Sequence, residues 1–250
     1  MAVETLDQYQ QKTVITKVLG VQLCIEAPAF FIKLANATLN GWHFVEQSEL
    51  SARDIVVSYQ DKRLQVDATI LDKPKVIDDL LDALNEFFLC LSYLLANKNT
   101  NLKLLHCASY VEADQNVILL GEKKSGKSEY VLSKAIAGHK IYADDLLLWQ
   151  PKKSEFIALG LPLRVRRSTT SLANDSAAKG KFLAGKNILY SHKKFFNQAE
   201  LGEGFLLDQV KLMKDGFIAV NVPIYQFQKQ LERHLISDNF ISYKKPLKTN

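Results

Sequence analysis

The sequence predicts an α/β protein of 250 residues: a mixed-sheet core over residues 101–250, preceded by an α+β region over residues 1–100. Three observations carry this reading. The apolar run Asn116 to Leu120 leads straight into a glycine-bearing loop, and that loop opens a helical stretch from Lys127 to about Gly138. A further short strand, Lys140 to Tyr142, ends on Ala143-Asp144-Asp145. The first hundred residues alternate strand and helix patterns and hold no recognisable chemical motif.

In chain order, Val14 to Ile25 reads as one or two strands and Phe30 to Leu39 as a short helix. Ile55 to Tyr59 and Leu64 to Ile70 are strands about the turn Gln60-Asp61-Lys62. A long amphipathic helix is expected over Lys75 to Asn97, begun near Asp72 and Pro74, with Val76, Leu80, Leu84, Phe87, Phe88, Leu91 and Leu95 on one face. After a polar break come a strand over Leu102 to Val111, the strand Asn116 to Leu120 and the loop and helix already described. Lys140 to Tyr142, Leu146 to Trp149 and Phe156 to Val165, the last interrupted by Gly160 and Pro162, complete the strands of the middle. Ser168 to Gly204 is polar and lysine-rich and reads as surface loop and short helix. A strand over Gly216 to Tyr225 and a closing helix over Gln226 to Ile236 finish the chain.

Composition narrows the function classes. With 47% hydrophobic and 24% charged residues the chain can build a proper core. The net charge of +5, from 32 basic and 27 acidic residues spread along the sequence, suits phosphate-bearing ligands without calling for nucleic acid. Cys24, Cys90 and Cys107 are widely spaced among apolar neighbours and form no C-x-x-C pair, as free thiols in a reducing compartment do. The N-terminus has no signal-like pattern, and Phe87 to Ala96, the longest apolar stretch, is too short for a bilayer. A cytoplasmic protein with no membrane contact is expected.

The chemistry is concentrated in Gly121-Glu122-Lys123-Lys124-Ser125-Gly126-Lys127-Ser128, which fits G-x-x-x-x-G-K-S/T between a buried strand and a helix start. The bland reading is an ordinary strand-turn-helix joint. The functional one is a phosphate cradle for ATP with Mg²⁺: loop amides and the helix N-terminus face the phosphates, Lys127 bridges the outer ones, and the Ser128 hydroxyl takes a metal position. Lys123 and Lys124 stand where small residues are usual, either as a solvated charged turn or as added attraction for a triphosphate. If Lys124 must adopt positive φ, it costs roughly 1 kcal/mol relative to glycine.

Asp144 and Asp145, neighbours at a strand end, should point in opposite directions and so have different jobs, one on Mg²⁺ and one as base toward an acceptor hydroxyl. The plain alternative is a surface turn. His106, in Leu104-Leu105-His106-Cys107-Ala108, reads on its own residues as a satisfied core histidine. His43, His139, His192 and His234 carry no spacing signal.

The stretch Leu104 to Asp145 resembles the catalytic domain of the HPr kinase/phosphorylase family. The matching features are His106, Gly126-Lys127-Ser128-Glu129, Gly138-His139 and Ala143-Asp144-Asp145. Leu161-Pro162-Leu163-Arg164-Val165-Arg166-Arg167 looks like the P-L-R-L-R stretch of the smaller HPr kinase-related proteins, which include serine kinases that tailor ribosomally made peptides. The resemblance implies a P-loop kinase core of the HPr kinase, phosphoenolpyruvate carboxykinase-like type. It implies Asp144 as base with His106 beside it, Asp145 and Ser128 on Mg²⁺, Lys127 and the loop amides on ATP, and a peptide or small protein as acceptor. It also implies a tendency to homo-oligomerise. Arg164 and Arg166 share a face by alternation, either to meet phosphate or an acidic substrate or as a solvated basic edge. The E-I-R-G-L-G signature of the full-length kinase/phosphorylases is absent. Rival functions are an ATP-binding sensor that transfers no phosphate, a kinase of a free small molecule such as serine, and a mechanical P-loop ATPase.

Overall fold

A computed structural model describes residues 8–48, 52–166, 180–214, 217–222, 231 and 233–236. It is mixed α/β, with four sheets and three α-helices among the described residues.

Strands β1 (Gln11–Val18) and β2 (Val21–Pro28) form a hairpin whose two turn residues, Leu19 and Gly20, both have left-handed φ, as a type I′ turn requires. Val14, Thr16 and Val18 of β1, with Val21, Leu23, Ile25 and Ala27 of β2, point inward at period two. Helix α1 (Ala29–Thr38) follows directly, and β3 (Val45–Glu46) pairs on the outside of β1. The hairpin β4 (Ile55–Gln60) and β5 (Arg63–Ala68) turns on Asp61 and Lys62, again both left-handed. With β6 (Lys75–Ile77) these strands make a six-stranded sheet in the order β3-β1-β2-β4-β5-β6.

The long helix is α2 (Leu80–Lys98), so Lys75 to Ile77, expected as its first turn, is instead an edge strand on β5. Two physical reasons account for this. The β-branched pair Val76-Ile77 suits a strand, and Val76 is 60% exposed, so it does not belong to the apolar stripe it seemed to begin. Asp79 then starts the helix: its Oδ1 accepts from the backbone N–H of Leu81 and Asp82 at 2.9 and 3.1 Å. Its Oδ2 also accepts from Lys186 N at 2.9 Å. Asp79→Ala is therefore expected to cost about 1–2 kcal/mol in a urea titration.

The helix is long and apolar enough to cross a membrane by length and composition, yet 67% of its apolar window is buried inside the fold. Leu84, Phe87, Leu91 and Leu95 are fully inaccessible, and Phe87 meets Phe31 of α1 edge-on at 5.3 Å.

The second half begins with β7 (Lys103–His106) and β8 (Ala108–Glu112). The single strand expected over Leu102 to Val111 is thus broken at Cys107, and its two pieces lie in different sheets. A hairpin joins β8 to β9 (Gln115–Leu120), and α3 (Lys127–Ile136) follows the loop. Then β10 (Ile141–Ala143) pairs antiparallel with β8, while β11 (Leu146–Gln150) pairs antiparallel with β7. The chain therefore changes sheet twice at one place, at Cys107 and at Asp144-Asp145, and the Cys107 N–H donates to the Asp145 carbonyl at 3.1 Å across that corner.

Strand β12 (Glu155–Ile157) continues the sheet of β11. Phe156 to Val165, expected as strand, is strand only here and at β13 (Arg164–Arg166). Between them Gly160, with φ +62°, sits so close to Asn40 that a Cβ would collide with the Asn40 carbonyl oxygen. Asn40 N donates to Gly160 O at 2.8 Å, and Trp42 Nε1 donates to Leu159 O at 2.7 Å. These bonds tie the two halves together.

Residues 167–179 lie outside the described residues. The remainder of the span read as surface loop and helix holds β14 (Phe182–Ala184) and the buried β15 (Ile188–Ser191), which pair with each other, β15 pairing also with β13. The apolar run Ile188-Leu189-Tyr190 outweighs its lysine-rich surroundings, and the buried Ser191 hydroxyl is satisfied by Leu163 N at 2.9 Å and Gln198 Oε1 at 3.0 Å. Next come β16 (Gly204–Leu206) and β17 (Gln209–Lys214); the latter was not foreseen and runs parallel to β9. Last is β18 (Phe217–Val222), within the strand expected at Gly216 to Tyr225. The expected closing helix, Gln226 to Ile236, falls mostly outside the described residues; Leu231 is buried, and Leu235 bridges to Leu105.

One core cluster runs from Val14 through α2 to Leu104, Leu146, Leu148 and Tyr190, so α2 is shared between the six-stranded sheet and the second half.

Candidate active site

Two pairings decide what meets what. In the sheet ordered β10-β8-β9-β17-β18, β10 and β9 are each antiparallel to β8, so they run in the same direction. The loop after β9 and the carboxylates after β10 therefore leave the same edge of the sheet, two strand spacings or about 10 Å apart. The two strands are not neighbours: β8 lies between them, antiparallel to both.

The loop from Gly121 to Ser128 is shaped by backbone. A Cβ at Gly121 would stand 2.7 Å from both Met213 O and Ser125 Oγ, so only glycine fits. Gly126 (φ +94°) is left-handed and opens α3. Lys124 adopts φ +70°, the strained case considered from sequence. Lys124→Gly should accordingly stabilise the protein by about 0.5–1 kcal/mol, read from denaturation midpoints without nucleotide. Glu122, Lys123 and Lys124 are exposed, while the buried Ser125 Oγ lacks a hydrogen-bond partner.

Lys127 is only 7% exposed. Its Nζ donates to the loop carbonyls of Gly121 at 2.7 Å and Glu122 at 3.0 Å. Burial pulls its pKa down, and the carboxylates of Asp145 and Asp144 pull it back up.

The two aspartates lie in the bend between β10 and β11, outside any strand, and differ in their partners. Asp144 is 8% exposed; its Oδ2 accepts the Arg164 backbone N–H at 2.8 Å, and its Oδ1 is buried without a partner. Burial first, and repulsion from Asp145 second, push its pKa up to about 6, against the Arg164 N–H and the Ser128 hydroxyl. For Asp145 burial also acts upward, but a hydrogen bond from His106 and the charge of Arg164 prevail and hold it at about 2. His106 Nε2 lies 2.9 Å from Asp145 Oδ1, and Arg164 Nη2 lies 2.9 Å from Oδ2.

His106, expected beside the base at Asp144, is thus bonded to Asp145 instead. The register explains the difference: Leu146 pairs with His106, which sets the histidine next to the residue before Leu146. His106 is partnered, as a satisfied histidine is, but its side chain keeps 20% exposure and does not belong to the core.

Arg164 and Arg166 do share a face, opposite the buried Val165. Arg164 is anchored, with Nη1 on Asn85 Oδ1 at 2.8 Å as well as Nη2 on Asp145, whereas Arg166 is exposed. Asn85 also accepts from Tyr190 Oη at 3.0 Å.

Asn85 and Tyr190 escaped the sequence reading, although a polar Asn85 beside the apolar stripe of α2 was a readable signal. His234 escaped too. The antiparallel bridge Leu105–Leu235, with Ile236 N donating to Leu104 O at 2.8 Å, sets His234 opposite His106. Burial, then the charges of His106 and Lys127, lower its pKa to about 4.

Cys90 and Cys107 are buried free thiols and Cys24 is a half-buried one.

Among the described residues no three His, Cys, Asp or Glu side chains form a ready-made metal cluster. Magnesium needs none, since it is usually held by one or two carboxylates with waters and phosphate oxygens. The hydroxyl of Ser128 and the aspartate pair, one oxygen of which is unpartnered, form a hard-oxygen donor set that fits it.

No family model matches this chain, and no curated protein matches it.

Proposed function

We propose that this chain is an ATP- and Mg²⁺-dependent kinase with an HPr kinase-like P-loop core, acting in the cytoplasm on a hydroxyl, serine of a peptide or small protein. One observation carries the reading: the Gly121–Ser128 loop and Asp144, whose Oδ1 is unpartnered, leave the same sheet edge. In this reading the loop amides and the α3 N-terminus hold the β- and γ-phosphates. Lys127 exchanges its carbonyl partners for phosphate oxygens. Ser128 and Asp145 would hold Mg²⁺, Asp145 through the lone pairs left on oxygens already bonded to His106 and Arg164. Bound Mg²⁺ would neutralise charge building up on the transferring phosphoryl group.

Asp144 Oδ1 takes the acceptor proton as the acceptor oxygen bonds to the γ-phosphorus. The bond from that phosphorus to its bridging oxygen breaks, and the electron pair leaves with ADP. A carboxylate with a pKa near 6 is basic enough to help and still ionised at neutral pH.

The test is incubation with ATP, Mg²⁺ and a serine-containing peptide library, with phosphopeptides read by mass spectrometry. Lys127→Ala is expected to lower the rate about 10²–10³-fold. A second reading, an ATP sensor without phosphotransfer, is favoured by the engagement of both Asp145 oxygens. It would give nucleotide binding by calorimetry and no phosphopeptide.

A further inference from the structure

A small cavity opens between α2 and the turn that carries the two aspartates. Its lining is apolar at Phe88, Leu89, Tyr142, Leu161 and Pro162 and polar at Asp144, Asp145 and Arg164. The volume is about 30 Å³, where one water needs roughly 10–15 Å³. That is room for a group the size of a hydroxymethyl.

The polar lining is already bonded, with one exception. Arg164 is bonded to Asn85 and Asp145, and Asn85 to Arg164 and Tyr190. Asp144 Oδ1 alone is buried and unpartnered. Asp144 lines the cavity, so a hydroxyl entering it comes beside this carboxyl.

From this we infer that the cavity is the acceptor subsite, and that it takes the side chain of a serine within an uncharged peptide stretch whose neighbouring residue is apolar and rests on Leu89 and Leu161. The inference rests on the kinase reading and narrows it. Free serine would bring its carboxylate to a lining whose one cation, Arg164, is already bonded to Asn85 and Asp145, and an unpaired charge in an apolar setting is costly. An acidic residue beside the serine would face two aspartates as well. Within a peptide, both charges of serine are replaced by amides.

The experiment compares kcat/KM for two peptides differing only beside the serine, leucine against aspartate, together with free serine. The leucine peptide is expected to lead by roughly ten-fold or more, with free serine below both. Leu89→Lys should reverse the order of the two peptides, with nucleotide affinity unchanged as the check that the variant folds. Should Leu89→Lys not fold, Leu89→Ala should shrink the leucine preference several-fold. Equal rates on both peptides in the unaltered protein, or free serine as the best acceptor, would overturn the inference while leaving the kinase standing. Nucleotide binding without any phosphorylated product would overturn both.

Discussion

Replacing Asp144 with asparagine is expected to slow phosphotransfer about 10²–10⁴-fold while making the protein more stable at pH 7. The pKa of this carboxyl is about 6 against an ordinary 3.8, chiefly because burial disfavours its charge. A raised value in the fold means that the ionised form is better solvated in the unfolded chain. The stability this group allows is therefore present below about pH 4, declines as pH rises through about 6, and stays low above it. Asparagine removes the charge and can still accept the Arg164 N–H through its amide oxygen. A shift from 3.8 to about 6, at about 1.4 kcal/mol per pKa unit, makes the gain about 3 kcal/mol at pH 7, shrinking toward zero near pH 4. Thermal melts across that range check it. In the unaltered protein, kcat/KM should fall as pH drops below about 6, when the base becomes protonated. An asparagine variant that is fully active, or less stable at pH 7, would show that Asp144 is not a strained base.

Asp145→Asn should do the reverse to stability. Here the pKa is lowered to about 2, so the stabilisation is present above about pH 4 and is lost as pH falls through 2. Breaking a buried ion pair costs about 3–5 kcal/mol because it strands the partner charge. The Asp145 and Arg164 side chains each keep 26% exposure, and water screens part of the loss. The expected cost is accordingly about 2–3 kcal/mol by urea titration at pH 7, and it should fade toward pH 2. A change below about 1 kcal/mol would mean that the His106-Asp145-Arg164 cluster contributes little to holding the corner. Adjacent aspartates with opposite stability signatures would be hard to explain as a plain surface turn.

The local elements were legible where period and punctuation agreed. The hairpin turning on Asp61 and Lys62, the helix at Ala29–Thr38 and the strand-loop-helix at 115–136 follow from alternation, turn residues and the glycine pattern, whereas Val14 to Ile25 left one strand or two open. The reading failed where a run was continuous in sequence but not in space. Leu102 to Val111 offers no glycine or proline at Cys107, so nothing announces that its two ends join different sheets. Ile188 to Ser191 is too short to stand out among lysines, and Lys75 to Ile77 mimics a helical stripe by chance of spacing. For the site, the residue types of the loop and the aspartate pair were readable, because backbone cradles and paired acids are local. The partner of His106, the clamp of Asn85 and Tyr190 on Arg164, and the place of His234 depend on registers between distant segments, which a single sequence does not encode visibly.

The corner at Cys107 and Asp145 has a consequence for how such a protein could change over time. The acids are fixed by main-chain register in two sheets, whereas the apolar wall facing them comes from one helix and the segment at 161–162. Drift in that wall could retune which molecules are accepted and leave the reacting groups where they stand. Drift in either register would displace both acids together, with no single compensating substitution to bring them back.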